Sequence, residues 1–354
     1  MSESEPRFNG DTLGAWLRGE GDDADIAICT RVRLARNLAT YPFSPKLSDE
    51  DSDRLTTEIK AVLQSDDFTP RLQIVDLGTT GELDRRILIE RHLISRELAN
   101  GHRARAVAID PAESVSLMIN EEDHLRAQVF SSGRSIKETY ERAEALDDAL
   151  MSRLEIASSE EFGFLTACPT NTGTGLRVSV MLHLPGLVWT DDIGKATDSV
   201  QKIQLAVRGL YGEGSRALGD FYQVSNQVTL GRSEEQILRD VSTAVQQLVA
   251  WERKVREALV EGKQRARTLD RVFRALGTLE RARILTSDEA LTCLSAVRFG
   301  IHAGLVEDVS IEQVNRALLL SQPAHLQRVC DSTLTAAERD LRRASLVREL
   351  LGRT

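Results

Sequence analysis

A chain of 354 residues, 41% hydrophobic and 28% charged, has the composition of a soluble globular protein and a length suited to about two domains. Its net charge of −9 excludes general nucleic-acid affinity, which needs a basic surface. Four dispersed cysteines with no C-x-x-C pair, a polar N-terminus unlike a signal peptide and no apolar run near the ~20 residues of a membrane span predict a reduced, cytoplasmic protein that binds no membrane.

To about Asp25 the chain reads as a lead-in, with Trp16 and Leu17 anchoring a short helix. In the run Ile26 to Asn37, Arg31 and Arg33 sit two apart, so on a strand both point to one face while Val32 and Leu34 point to the other. Two planar guanidinium forks on one face suit a phosphate group, and the alternative is a pair of surface arginines on an edge strand. Leu55, Ile59 and Leu63 predict an amphipathic helix over 48–66, and a second helical stretch over 83–98 contains His92.

The central stretch runs from Val115 to Phe130. Val115, Leu117 and Ile119 alternate with Ser116, Met118 and Asn120, predicting a half-buried strand. Glu121, Glu122 and Asp123 follow in a row, then His124 and Arg126, then the apolar Ala127, Val129 and Phe130. Charges between two apolar strand halves are costly unless they are paired, do chemistry or lie on a solvated turn.

A helix is predicted over 135–157, with Leu146, Leu150 and Leu154 on one face. From Gly163 to Arg177 a strand end leads into a loop of small, hydroxyl and glycine residues around Cys168, and Arg177 opens the strand to Leu184. Glycines there can let backbone N–H groups approach an anion, although no Walker A or G-x-G-x-x-G pattern is present. Cys168 reads either as a reactive thiol or as a small core residue. After a helix over 198–206, the glycines around Glu213 describe a mobile loop carrying an acid, and a strand returns from Phe221 to Leu230. From Ser233 the pattern is helical, with a capping box at Ser233 and Gln236, caps at Ser287 and Ser310, and a boundary near 259–264.

The blocks CTRVRLARN, NEEDHLR, CPTNTGTGLR and VRGLYGEG, in that order over about 26–232, resemble the phosphagen kinases, which move the ATP γ-phosphoryl to a guanidinium nitrogen. SAVRFGIHAGLV, QPAHLQ and the R-D-x-x-R-A motif at 339–344 extend the resemblance to the bacterial protein-arginine kinases of that family. The fold so implied is α+β: a large antiparallel sheet flanked by helices over 1–260, then an all-α C-terminal domain over 261–354. The resemblance implies Arg31, Arg33, Arg126, Arg177 and Arg208 as phosphate clamps and His92 against the adenine. Cys29, Thr30 and Val32, then Val178, Ser179, Val180 and Met181, then Gly209, Leu210, Tyr211 and Gly212 complete the implied ATP site. Glu122 and Glu213 are implied as the catalytic carboxylates and Cys168 as the thiol against the guanidinium. Arg339, Asp340, Arg343 and Ala344 are implied to bind phosphoarginine and regulate the kinase, though a surface ion-pair ladder is the alternative.

ATP and Mg²⁺ are the implied cofactors, with no metal held by the protein alone. Implied partners are proteins with exposed arginines, a zinc-binding activator, a Clp-type ATPase and protease, and a second copy in a homodimer or higher oligomer. Three features depart from the family or its relatives. Arg31 comes almost at the start, where typical phosphagen kinases place a small helical domain, so an open site is expected. Cys29-Thr30 replaces two serines, and Tyr211 replaces an arginine of the small-guanidino kinases. Arg216 and Arg343 are candidate autophosphorylation targets. The functions left open are a kinase acting on protein arginine and marking proteins for proteolysis, a kinase of a small guanidino compound such as free arginine, and a phosphoarginine-binding adaptor.

Overall fold

The structure, a computed structural model, describes residues 12–209 and 218–352. In chain order the elements are β1 (Ala27–Arg36), α1 (Asp49–Leu63), β2 (Gln73–Asp76), α2 (Glu82–Glu90), α3 (Arg96–Asn100), β3 (Ala106–Ile109), β4 (Val115–Ile119) and β5 (Leu125–Ser132). There follow α4 (Ile136–Met151), β6 (Ser158–Ser159), β7 (Gly163–Phe164), β8 (Leu176–His183), α5 (Pro185–Trp189), α6 (Ile193–Gln201), β9 (Leu205–Gly209) and β10 (Phe221–Asn226). Helices α7 (Glu234–Glu261), α8 (Arg265–Arg281), α9 (Ser287–His302), α10 (Ile311–Leu320), α11 (Pro323–Val329) and α12 (Ala336–Leu350) complete the described chain. Among the described residues no helix is long and apolar enough to cross a membrane.

Eight strands form one sheet in the order β2-β3-β4-β5-β1-β8-β10-β9, and every pairing is antiparallel. β1 is therefore central, which removes the edge-strand alternative for Arg31 and Arg33. Strand alternation then sorts its side chains. Val32 and Leu34 join the core that packs the sheet against α1, α4 and α7, with Leu55, Ile59, Leu146, Val245 and Leu248. Each such apolar side chain contributes about 1.5–3 kcal/mol on burial.

The opposite face carries Cys29, Arg31 and Arg33. One region of it packs with Trp16 and the C-terminal helices, where Cys29, Phe130, Met181 and Phe221 share a core with Val272, Leu294, Val297 and Phe299. A smaller cluster beneath α2 and α3 covers β3 and β4. Buried polar bonds fasten these layers. Arg298 on α9 donates to Asn315 at 2.7 Å and to the Ala24 carbonyl at 2.9 Å, and Asn315 donates to the Leu17 carbonyl at 2.8 Å.

Several local readings are corrected. The stretch 83–98 is two short helices: the first ends at Glu90, His92 takes φ +59°, and Ser95 caps the second by accepting from Leu98 N. Buried Arg91, bound to Glu113 at 2.8 Å, fixes that break although no glycine or proline marks it. β4 is buried on both faces, not half-buried, because α2 and α3 lie over it. The helix expected over 198–206 is α6, shifted toward the N-terminus, and Val207 and Arg208 belong to β9. Thr286, not Ser287, caps α9 by accepting from Glu289 N. Ser233 and Ser310 form capping boxes as expected, and Thr335 with Glu338 forms one that was not anticipated.

Candidate active site

Register explains how distant arginines meet. Residues directly opposite in an antiparallel pair share a face. Arg33 lies opposite Gln128 on β5 and Arg177 on β8, Ala35 opposite Arg126, and Gln223 on β10 opposite Arg208 on β9. Arg33, Arg126, Arg177 and Arg208 line one cleft of about 200 Å³ together with Glu122, Cys168, Thr170, Asn171 and Gly175. Arg31 lies one position along β1, beside a second, narrower space lined by Trp16, Cys29, His92, Phe130, Ser179, Met181 and Gln223. Its guanidinium donates to Gln223 Oε1 at 3.0 Å.

Charges of one sign crowd here. Burial, then repulsion from Arg31, Arg177 and Arg126, holds the Arg33 guanidinium well below its ordinary pKa. Burial, and to a smaller extent Arg126, lowers that of Arg31. An anion in the cleft relieves this strain, and a polyphosphate matches its extent and charge.

The acid cluster forms the turn between β4 and β5, and its members part company. Arg126 bridges two of them, Glu121 at 2.6 Å and Glu122 at 2.9 Å. The Glu121 side chain is 2% exposed and that of Glu122 is 44% exposed, so Glu122 faces the cleft. Burial raises the Glu122 pKa, Arg126 opposes the rise, and the charges of Asp123 and Glu121 add to it. Such a carboxylate is a better proton acceptor than an ordinary one.

The loop after β7 supplies the other wall. Cys168 Sγ lies 2.9 Å from Thr170 Oγ1, and its carbonyl accepts from Thr166 Oγ1 at 2.7 Å and from Asn171 N at 3.0 Å. Thr229 donates to the carbonyls of Thr170 and Thr172, fastening the loop to the chain after β10. Gly173 and Gly175 admit other backbone at close range. Gly175 has φ +63°, and a Cβ there would lie 2.6 Å from the Ala35 carbonyl oxygen.

The remaining site expectations divide. His92 sits edge-on to Trp16 at 4.6 Å, and burial, aided by Arg31, drops its pKa to about 3, so it is a neutral wall of the narrower space. Cys29, Ser179 and Met181 line the same space, and burial pushes the Cys29 thiol up to about 11. Thr30, Val32, Val178 and Val180 alternate with these residues along β1 and β8 and turn their side chains away. Thr30 bonds the Gly133 carbonyl and the three valines enter the core on the far face, so no side chain of the four meets the cleft. Gly209 ends β9. Leu210, Tyr211, Gly212, Glu213 and Arg216 lie outside the described residues.

In α12, Arg343 is 1% exposed and its donors are engaged by the Ser321 and Leu285 carbonyls and by Asp340. It ties α12 to its neighbours and is closed to phosphorylation as it stands, and Ala344 is core. Arg339 is half-buried and donates to the Leu334 carbonyl at 2.8 Å. Sequence reasoning passed over Trp16 and Gln223 as walls of the narrower space. It also passed over Asn37, which joins the turn to the loop; ending the CTRVRLARN block was its only signal.

Comparison with known proteins agrees with this geometry. Residues 54–255 match the family described as ATP:guanido phosphotransferase, C-terminal catalytic domain, and residues 265–354 match the protein-arginine kinase McsB C-terminal domain. A protein-arginine kinase of Symbiobacterium thermophilum is 44% identical over 95% of this chain and 96% of its own, and one of Geobacillus thermodenitrificans is 42% identical over 98% and 95%. Among solved structures, a lombricine kinase at 24% identity shares the fold with a TM-score of 0.60 over 72% of this chain and 71% of its own. The duplicated taurocyamine kinase of Schistosoma mansoni, solved with bound transition-state analogue components, gives a TM-score of 0.60 at 26% identity over 68% of this chain, which spans 35% of the duplicated one. Matched along nearly its whole length, the chain belongs to the protein-arginine kinase family of ATP:guanido phosphotransferases.

Proposed function

We propose that the chain transfers the γ-phosphoryl of MgATP to a guanidinium nitrogen of arginine side chains in proteins. The observation that carries this is the cleft in which four arginines from β1, β5, β8 and β9 face one partly buried glutamate and one cysteine. A guanidinium of pKa about 12.5–13.8 is a poor nucleophile while protonated and is not deprotonated beforehand. Its nitrogen attacks the γ-phosphorus as Glu122 takes the proton, the bond to the ADP oxygen breaks, and ADP carries away the electron pair. The arginines hold the phosphates in line and offset the charge developing on the transferred group.

No group of three or more acidic, histidine or cysteine side chains suited to a metal occurs among the described residues. Mg²⁺ would arrive on the nucleotide phosphates, where it would neutralise charge. His92 and Trp16 suit the base, in the space that continues from Arg31. Recognition of phosphoarginine and of a second copy would fall to the C-terminal helices, in keeping with the match of residues 265–354 to the McsB C-terminal domain. The wider role would be marking proteins for a Clp-type protease in the cytoplasm, with a zinc-binding activator.

Mass spectrometry that spares acid-labile phosphoramidates tests the reaction. An unfolded arginine-rich protein, or free arginine, is incubated with MgATP and either the native chain or Glu122→Gln. Phosphoarginine on protein, reduced on the order of 10²-fold or more in the variant, is expected. Phosphate on free arginine alone would replace this reading with a small-guanidino kinase, and phosphate on neither would leave the adaptor.

A further inference from the structure

One acid of the β4–β5 turn has no part in the transfer just described. Asp123 is completely buried, between the cleft-facing Glu122 and the equally buried His124. Its Oδ1 accepts two hydrogen bonds, from Asn37 Nδ2 at 2.7 Å and from the backbone N of Ala167 at 2.7 Å. Asn37 follows the end of β1, and Ala167 immediately precedes Cys168. The same Asn37 nitrogen donates to the Leu165 carbonyl at 3.1 Å, and Asn37 Oδ1 accepts from His124 N at 2.9 Å. His124 completes the arrangement, accepting from Leu38 N on Nδ1 at 3.1 Å and donating from Nε2 to the Pro42 carbonyl at 3.0 Å.

These bonds join three segments distant in sequence: the end of β1, the turn bearing Glu122 and the loop bearing Cys168. A neutral amide could brace such a junction without the desolvation cost of a buried carboxylate. Asp123 is also used on one side only, since its Oδ2 has no hydrogen-bond partner among the described residues. What its charge adds is strength in the two bonds it does accept, and so rigidity where Glu122 and Cys168 must flank one guanidinium. A misplacement of ~1 Å in such a site costs on the order of 10²-fold in rate.

We infer that Asp123, braced by Asn37, is a positioning residue for phosphoryl transfer that sets the separation of Glu122 from the Cys168 loop. The inference rests on the reading of Glu122 as the proton acceptor.

The test is steady-state kinetics of the full chain with Asp123→Ala, Asn37→Ala, their double and Asp123→Asn, alongside hydrogen exchange at the Ala167 amide. Asp123→Ala should lower kcat by roughly 10²-fold while the KM for ATP stays within about twofold, because the arginines are untouched. The double should be no worse than its more damaging single, since both remove one constraint. Asp123→Asn keeps an acceptor for Ala167 N without the charge and should recover kcat only in part, above the alanine variant and below the native chain, with amide protection lost in the alanine variant and reduced in the asparagine one. An active native chain with undiminished kcat in Asp123→Ala overturns the inference alone, as does a strictly additive double with KM rising in step. Should Asp123→Ala not fold, Asn37→Ala decides by the same criteria. A native chain that makes no phosphoarginine overturns the kinase reading, and the positioning role with it.

Discussion

Glu122 combines partial burial with the repulsion of two neighbouring acids, and Arg126 only partly compensates. A proton acceptor must start ionised, so activity should fall as pH drops through its raised pKa. The acid limb of kcat/KM is therefore expected above the ordinary glutamate value of about 4.3. A pH–rate profile checks this, and a limb at or below that value would remove Glu122 as the base. Three acids between two apolar strand halves marked the turn as needing a reason, but only the family resemblance singled out Glu122 as the base. The division of labour within the turn was not legible: Glu121 and Glu122 share Arg126 while Asp123 turns inward, and only the hydrogen bonds to Asn37 and Ala167 reveal it. Spacing showed that Arg31 and Arg33 share a face, but it could not show that Arg33 lies opposite Arg177, a partner more than 140 positions away.

Between elements, the loop carrying Cys168 depends on a buried cation. Arg36 at the end of β1 is 2% exposed, and its guanidinium lies over the Phe164 ring at 3.5 Å. It donates to the Thr174 carbonyl at 3.0 Å and pairs with Asp147 of α4 at 2.6 Å. Removing one member of such a pair leaves a buried charge uncompensated, so Arg36→Met should destabilise by about 3–5 kcal/mol. Urea unfolding measures it, and a loss below about 1 kcal/mol would show that Asp147 finds another partner or a proton. Helices with strong apolar spacing, such as α1 and α7, could be read directly. The break at His92 could not, because it is imposed by Arg91 reaching Glu113 and not by any local breaker.

For the molecule as a whole, the C-terminal helices and the site face of the sheet share one core. Leu294 of α9 is fully buried in the cluster that contains Cys29, Phe130 and Met181, and His183 of β8 bonds Ser295 of α9 at 2.8 Å. A change of composition near Ser233 marks where strands give way to helices, yet it says nothing about which apolar faces pair. The site is consequently built on a surface that the C-terminal helices keep dry, and its stability should be theirs as well. Leu294→Ala, far from any phosphate, should cost about 2–5 kcal/mol and shift one common unfolding transition. Circular dichroism follows the helices, tryptophan emission reports jointly on Trp16, Trp189 and Trp251, and residual kinase activity reports on the cleft. Coincident curves are expected, both in the native chain and at the lowered midpoint of the variant. A helical transition separated from loss of the cleft would mean that the sheet face holds its arginines in register without that cover.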